Sequence, residues 1–185
     1  IDYGSGNIAA VANIYKQLKI PYIVTDIPDE LHKADRYILP GVGAFDPTMR
    51  ELLSSGLAAV LNNEVICKGK KILGICVGMQ LFADSSDEGE MAGLGWINGR
   101  VRSIDTATLT EKPLLPHMGW NSIETSGTAS LFNGVDLEMG FYFLHSFYFD
   151  VADPDHVAGR VLYGSEIPCA VERGNIFGMQ FHPEK

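Results

Sequence analysis

K-I-L-G-I-C-V-G-M-Q, residues 71–80, carries the strongest structural signal in the chain. K-I-L-G-I is a short apolar run that reads as a buried strand, and it passes without a loop into Cys76, after which residues 77–83 have helical spacing. Gly74 and Gly78 stand two residues to either side of the cysteine, where a missing side chain leaves room for a sharp strand-to-helix bend. Working outward toward the start, R-Y-I-L at 36–39 is another strand, ended by Pro40 and the glycines at 41 and 43. Asp46 followed by Pro47 predicts a helix start, because an aspartate N-cap satisfies free N–H groups and proline suits the first helical position. That helix is expected to run on through L-L-S-S-G-L-A-A-V-L at 52–61. Earlier still, Ile8, Val11, Ala12, Tyr15 and Leu18 recur at helix spacing, and Y-I-V-T at 22–25 reads as a strand. Strand and helix alternating in this order predict an α/β fold whose mixed, mainly parallel sheet carries helices on both faces.

Beyond Gly89 the pattern becomes a series of short strands: R-V-R-S-I, N-S-I-E-T, F-Y-F-L-H-S-F-Y-F, A-G-R-V-L-Y, C-A-V-E and I-F-G-M-Q-F. The last two flank R-G-N, a compact hairpin signal, so this C-terminal part is expected to be antiparallel or mixed sheet joined to the first half. Polar loops such as T-A-T-L-T-E-K-P and T-S-G-T-A-S separate its strands, and none is long enough to link domains. The acidic stretch D-S-S-D-E-G-E at 84–90 reads as a solvated loop. With 185 residues, 46% of them apolar and 20% charged, the chain can bury one substantial core, and we read residues 1–185 as a single domain.

A net charge of -9 supplies no basic footprint for nucleic acid or an anionic membrane surface. Three cysteines, at 67, 76 and 169, form neither an even disulfide set nor a C-x-x-C metal pattern, which points to a reducing, cytoplasmic compartment with no structural metal. No apolar run reaches bilayer length, and the opening I-D-Y-G lacks the regions of a signal peptide. Ile1 is not a start methionine and the chain stops at P-E-K, so residues are expected beyond both ends.

A lone cysteine is more often a small buried hydrophobe than a nucleophile, and Cys67 and Cys169 keep that reading. The turn reverses it for Cys76: the side chain is thrust out above the sheet at a helix N-terminus, where dipole and free N–H groups favour a thiolate. A thiol nucleophile needs a base, and the base needs a fixed tautomer. His182, Pro183 and Glu184 offer both within three residues, since side chains two apart in an extended segment share a side. His145 is the rival base and has no carboxylate at that spacing; His32 and His156 lie in polar stretches, and His117 is open between packing and binding. Acyl transfer also needs oxyanion donors. The N–H of Val77 is one candidate, and P-G-V-G at 40–43, at the end of a parallel strand, is either a second donor loop or a plain strand-ending turn. Loss of one such donor typically costs about 3 to 4 kcal/mol in the barrier.

Together these pieces resemble the class I glutamine amidotransferases. More narrowly, L-P-G-V-G-A-F, G-I-C-V-G-M-Q, P-H-M-G-W-N, F-Y-F-L-H-S and G-M-Q-F-H-P-E-K look like the glutaminase subunits of imidazole glycerol phosphate synthases. The resemblance runs from I-D-Y-G-S-G-N to the last residue, with several separate motifs agreeing in order. It implies a flavodoxin-like fold and hydrolysis of L-glutamine to glutamate and ammonia through a thioester on Cys76, with His182 and Glu184 completing the triad and no cofactor. It also implies substrate contacts from Gln80, from the backbone around Ser146 and Phe147, and from the loop of Gly41, Val42 and Gly43. The ammonia would pass to a separate barrel-fold cyclase subunit, forming a heterodimer that makes imidazole glycerol phosphate in the histidine pathway. Nothing in the chain binds a phosphorylated acceptor, which itself implies a partner; Gly4, Gly6, Asn7, Tyr142 and Lys185 are candidates for its interface. Two departures stand out: Val77 replaces the usual leucine, where only the N–H is needed, and Phe147 replaces a tyrosine and lacks its hydroxyl.

Three other readings compete. G-S-G-N-I-A at 4–9, with Asp26 22 residues beyond Gly4, fits a dinucleotide-binding fingerprint but leaves the cysteine turn and H-P-E unexplained. A non-catalytic module would not need the cysteine, histidine and glutamate. A relative feeding ammonia to a different synthase, for example in modified-sugar synthesis, would bind glutamine with the same motifs.

Overall fold

The computed structural model describes residues 1–110 and 114–185. Helix α1 spans Ile8–Gln17, strand β1 Arg36–Gly41, helices α2 and α3 Phe45–Ser54 and Leu57–Leu61, strand β2 Lys71–Cys76, and the single turn α4 Val77–Gln80. The remainder is strands: β3 Ser85–Ser86, β4 Gly99–Ser103, β5 His117–Asn121, β6 Ile123–Thr125, β7 Phe141–His145, β8 Phe147–Val151, β9 Val157–Tyr163, β10 Ser165–Arg173 and β11 Ile176–Met179. A six-stranded sheet runs β1-β2-β11-β10-β9-β6, beside a three-stranded sheet β3-β4-β8 and a two-stranded ribbon β5-β7. In the large sheet β1, β2 and β11 are parallel neighbours, while β10, β9 and β6 continue it antiparallel.

The register places Gly41 opposite Cys76 and Met179 opposite Ile75, so three parallel strands end side by side. Loops leaving such ends converge on one crevice. The glycines that flank the cysteine are there for close approach. A Cβ on Gly78 would stand 1.9 Å from the Leu39 carbonyl oxygen, and one on Gly74 2.6 Å from the Met79 Cα. Met79, Phe82, Phe143, Phe149 and Phe181 are fully buried around this turn, each stabilising the fold by about 1.5 to 3 kcal/mol.

Five local expectations are changed by packing. Y-I-V-T forms no strand, because a ladder needs successive backbone bonds and among the described residues the segment has a single one to another element, from the Asp2 N–H to the Thr25 carbonyl at 3.0 Å. Helix α2 begins at Phe45 with Ala44 as N-cap, so Asp46 lies inside the first turn and instead accepts the Glu90 and Met91 N–H groups at 2.9 and 3.1 Å. The free Phe45 N–H is taken by Glu88, 2.9 Å away, so the acidic stretch caps a helix and is only partly solvated. The long helix breaks at Gly56, whose φ of +77° ends α2, and after α3 the chain widens into a π-helical turn over Asn62–Cys67. F-Y-F-L-H-S-F-Y-F is two strands broken at Ser146 and sent to different sheets, β7 pairing with β5 and β8 with β4. Of the loop T-A-T-L-T-E-K-P, residues 111–113 lie outside the described residues. No helix among the described residues is long and apolar enough to cross a membrane.

Candidate active site

Cys76 sits where β2 turns into α4, with φ +55° and ψ -117°, a conformation L-residues rarely hold. Strain of this kind persists only where surrounding packing enforces it. Here Gly41 presses on the turn: a Cβ at that position would lie 2.5 Å from the Gly78 nitrogen. The turn leaves the thiol 5% exposed at the head of α4, whose first N–H groups, Val77's among them, have no partner within the helix.

His182 and Glu184 follow the end of β11, which neighbours β2. The His182 Nδ1–H donates to Glu184 Oε1 at 3.0 Å, and both side chains are nearly buried. The link between them is a turn closed by the Lys185 N–H on the His182 carbonyl, rather than the extended segment the sequence suggests. Nδ1 being occupied, Nε2 is the nitrogen available to Cys76. Hydrogen bonds with Cys76 and then with Glu184 push the His182 imidazole up to about 10, against the cost of burial. Burial pushes the Glu184 carboxyl up, but the His182 hydrogen bond and its charge outweigh this and hold it below the usual range. The second carboxylate oxygen of Glu184 is buried without a partner among the described residues.

Gln80, 3% exposed, donates through Nε2 to the Phe147 carbonyl at 3.2 Å and to Gln180 Oε1 at 2.9 Å. Ser146 lies at the strand break beside them and accepts the Ile104 N–H. In the 41–43 loop, the Val42 N–H donates to Ser5 Oγ at 3.1 Å, and the Ser5 hydroxyl lies 3.0 Å from the Val42 carbonyl. Gly43, with φ +95°, has open space where a Cβ would stand. Lys185 lies over the Tyr142 ring, 5.9 Å from its centroid, next to Trp120, whereas Asn7 stands exposed on a separate element at the N-cap of α1. Gly6 packs its backbone on Pro40, where a Cβ would come within 2.7 Å of that ring. Gly6 thus serves contact with β1, and Gly4 faces the Glu51 carboxylate of α2, where a Cβ would stand 3.2 Å from its oxygen, rather than an open phosphate cradle.

The remaining histidines sort by burial. His145, the rival base, has both nitrogens engaged: Nδ1 to the Phe147 carbonyl at 2.8 Å and Nε2 to His117 Nδ1 at 3.0 Å. Burial pushes it down to about 3. His117 is stacked between Phe143 and Tyr163, at 4.6 and 4.1 Å, and burial takes it down to about 4. His32 pairs with Glu64, and His156 is half-buried. Sequence reasoning missed Ser5, Gln180 and the His117–His145 pair as parts of this neighbourhood. Gln180 stands within the quoted G-M-Q-F-H-P-E-K, but nothing local marks its side chain as facing Cys76.

A family model described as glutamine amidotransferase class-I matches residues 1–185. The chain is 49% identical to the imidazole glycerol phosphate synthase subunit HisH of Bdellovibrio bacteriovorus, spanning 100% of this chain and 91% of that protein. It is 40% identical to the HisH subunit of Leptospira interrogans over the same shares, 100% and 91%. Among solved structures, a glutamine amidotransferase crystal structure superposes with a TM-score of 0.71 at 18% identity, covering 97% of this chain and 87% of that one. PurLQS from Thermotoga maritima does so at 0.67 and 22%, covering 100% and 85%. These two likenesses concern the fold alone. The chain belongs to the class I glutamine amidotransferases and, within them, to the family of the imidazole glycerol phosphate synthase subunit HisH.

Proposed function

We propose that this single domain hydrolyses L-glutamine to glutamate and ammonia as the glutaminase subunit of an imidazole glycerol phosphate synthase, with Cys76, His182 and Glu184 as its triad. The observation that carries the reading is the convergence, at the ends of β2 and β11, of a cysteine on a strained strand-to-helix turn with a carboxylate-bound histidine. His182, raised by its hydrogen bond to Cys76, is placed to take the thiol proton as the sulfur attacks the carboxamide carbon. Collapse of the tetrahedral intermediate then breaks the C–N bond as His182 gives that proton to the departing ammonia. In the second half His182 takes a proton from water, which cleaves the thioester. Glu184 keeps Nδ1 protonated and so aims Nε2 at the chemistry throughout.

The Val77 N–H is one oxyanion donor. The Val42 N–H is committed to Ser5, so it must be released before it can serve as a second. A site one donor short fits an activity that rises when a partner docks. The partner is a barrel-fold cyclase that receives ammonia directly, in the cytoplasm, and uses it to make imidazole glycerol phosphate. Its docking surface is the outer face of the β5-β7 ribbon, where Met118, Trp120 and Leu144 are exposed around Tyr142 and Lys185. The Tyr142 carbonyl accepts the His182 N–H at 2.9 Å, which puts this face against the site.

A glutamine-like diazoketone is expected to label Cys76 once per chain, and Cys76→Ala to abolish glutamate release, with or without the cyclase. Labelling elsewhere, or undiminished hydrolysis in the variant, sinks the mechanism. An equal rate in the presence and absence of a ligand-loaded cyclase rejects the coupling.

A further inference from the structure

Gln180 is fully buried, and the identity of each atom in its carboxamide is forced by its neighbours. The Phe147 carbonyl can only accept, so the Gln80 atom facing it at 3.2 Å is the NH2 group. That nitrogen has no lone pair to offer, so the Gln180 atom 2.9 Å from it is oxygen. The other end of the Gln180 carboxamide is therefore the NH2 group, and it lies 3.5 Å from Cys76 Sγ. The far side of the Phe147 carbonyl is fixed by the same logic. His145 Nδ1 must donate to it, so Nε2 accepts from His117 Nδ1, and His117 Nε2 accepts from the Asn121 amide at 3.2 Å. Asn121 is anchored in turn on the Leu162 carbonyl at 3.1 Å. Donation runs from the β5-β7 ribbon to the Phe147 carbonyl, which accepts from His145 on one side and from Gln80 on the other; from Gln80 a second line of donation runs through Gln180 to the sulfur.

Resting on the glutaminase reading above, we propose that Gln180 is a further residue of the reaction: its side-chain N–H donates to Cys76 Sγ, stabilises the sulfur as an anion and holds it in line for attack, while Gln80 fixes the Gln180 amide. Among the described residues, Cys76 Sγ is the hydrogen-bond partner of the Gln180 amide nitrogen, its carbonyl being satisfied by Gln80. A hydrogen bond to an ionised acceptor is about twice as strong as a neutral one. It is weakened when the anion is protonated, so Gln180 favours the thiolate that attacks over the resting thiol. Because Gln180 acts through the sulfur, its loss is expected to affect reactivity rather than affinity.

The test is Gln180→Met, of similar length without a donor, with Cys76 alkylation by iodoacetamide followed peptide by peptide to separate it from the exposed Cys67. Alkylation at pH 7 is expected to fall about tenfold, converging with the native rate in strong alkali where any thiol is ionised. For glutamine, kcat should fall by a similar factor while KM stays within about twofold. An alkylation profile that superimposes on the native one overturns the proposal, as does a raised KM with kcat intact. If the variant does not fold, the Gln180 side-chain amide resonance of the unsubstituted protein still decides: it should shift when Cys76 is alkylated, and a fixed resonance overturns the proposal. Failure of the glutaminase reading is seen separately, as native protein that releases no glutamate.

Discussion

Replacing His145 by asparagine should flatten the dependence of stability on pH in mildly acid solution. His145 and His117 are held down at about 3 and about 4 by burial, while the same side chains in the unfolded chain titrate near 6.5. As pH falls below 6.5 the unfolded state takes up protons that the folded state refuses, so stability drops. Each such group contributes about 1.4 kcal/mol per pH unit once its unfolded form is fully protonated, so the pair together gives a slope of roughly 2.5 kcal/mol per unit between about pH 6 and 5. Three other shifted groups act outside that window. His182, raised to about 10, contributes stability that is fully present below the unfolded value and lost only as pH rises toward 10. Glu64, held down to about 2 by Lys68 and Lys70, and Glu184, also lowered, lose their contributions only as pH falls below the ordinary carboxylate range. The His145→Asn change keeps a donor for the Phe147 carbonyl and removes one titrating group. The assay is urea unfolding of native and substituted protein at several pH values across the window. The substituted protein should show a slope shallower by about 1 kcal/mol per pH unit, whatever its absolute stability. Parallel slopes would refute the claim that His145 is buried neutral.

Two further outcomes follow from contacts in the fold. Gly78→Ala sets a methyl 1.9 Å from the Leu39 carbonyl oxygen, against backbone that cannot move without disrupting β1, and should destabilise by about 3 kcal/mol or more; denaturant unfolding within about 0.5 kcal/mol of native would contradict the close approach. Asp46→Ala strips the Glu90 and Met91 N–H groups of their acceptor without removing the α2 N-cap, so it should cost about 1 to 2 kcal/mol with α2 helicity retained, and a loss of helical circular dichroism would show that Asp46 caps the helix after all.

How much of this was legible in the sequence depends on how far apart the interacting residues lie. The strand, the glycine-flanked bend and the helical turn around Cys76 are written in consecutive residues, so spacing alone places the cysteine on the turn. The pairing of His182 with Glu184 is equally local, although it is made by a turn rather than by extended chain. The R-G-N hairpin and the end of β1 at the 41–43 loop are legible for the same reason. Errors arose where a side chain had a distant competitor. Asp46 has the chemistry of an N-cap, but Glu88, 43 residues from Phe45, supplies the carboxylate. Y-I-V-T has strand propensity, yet a strand exists only with a ladder to join.

The alternation that makes the sheet, the position of the cysteine turn and the pairing of His182 with Glu184 follow from the sequence alone, because each rests on steric and hydrogen-bonding preferences that act over a few residues. Only the tertiary structure decided that Gln180, 104 residues from Cys76, reaches its sulfur, that Ser5 holds the Val42 N–H, and that F-Y-F-L-H-S-F-Y-F splits at Ser146 between two sheets. The physical reason is that a buried polar atom must find a partner wherever packing delivers one. The carboxamide of Gln180 is specified by no neighbour in the chain, but by a carbonyl, a second amide and a thiol that meet only when β2, α4, β8 and β11 have closed around them.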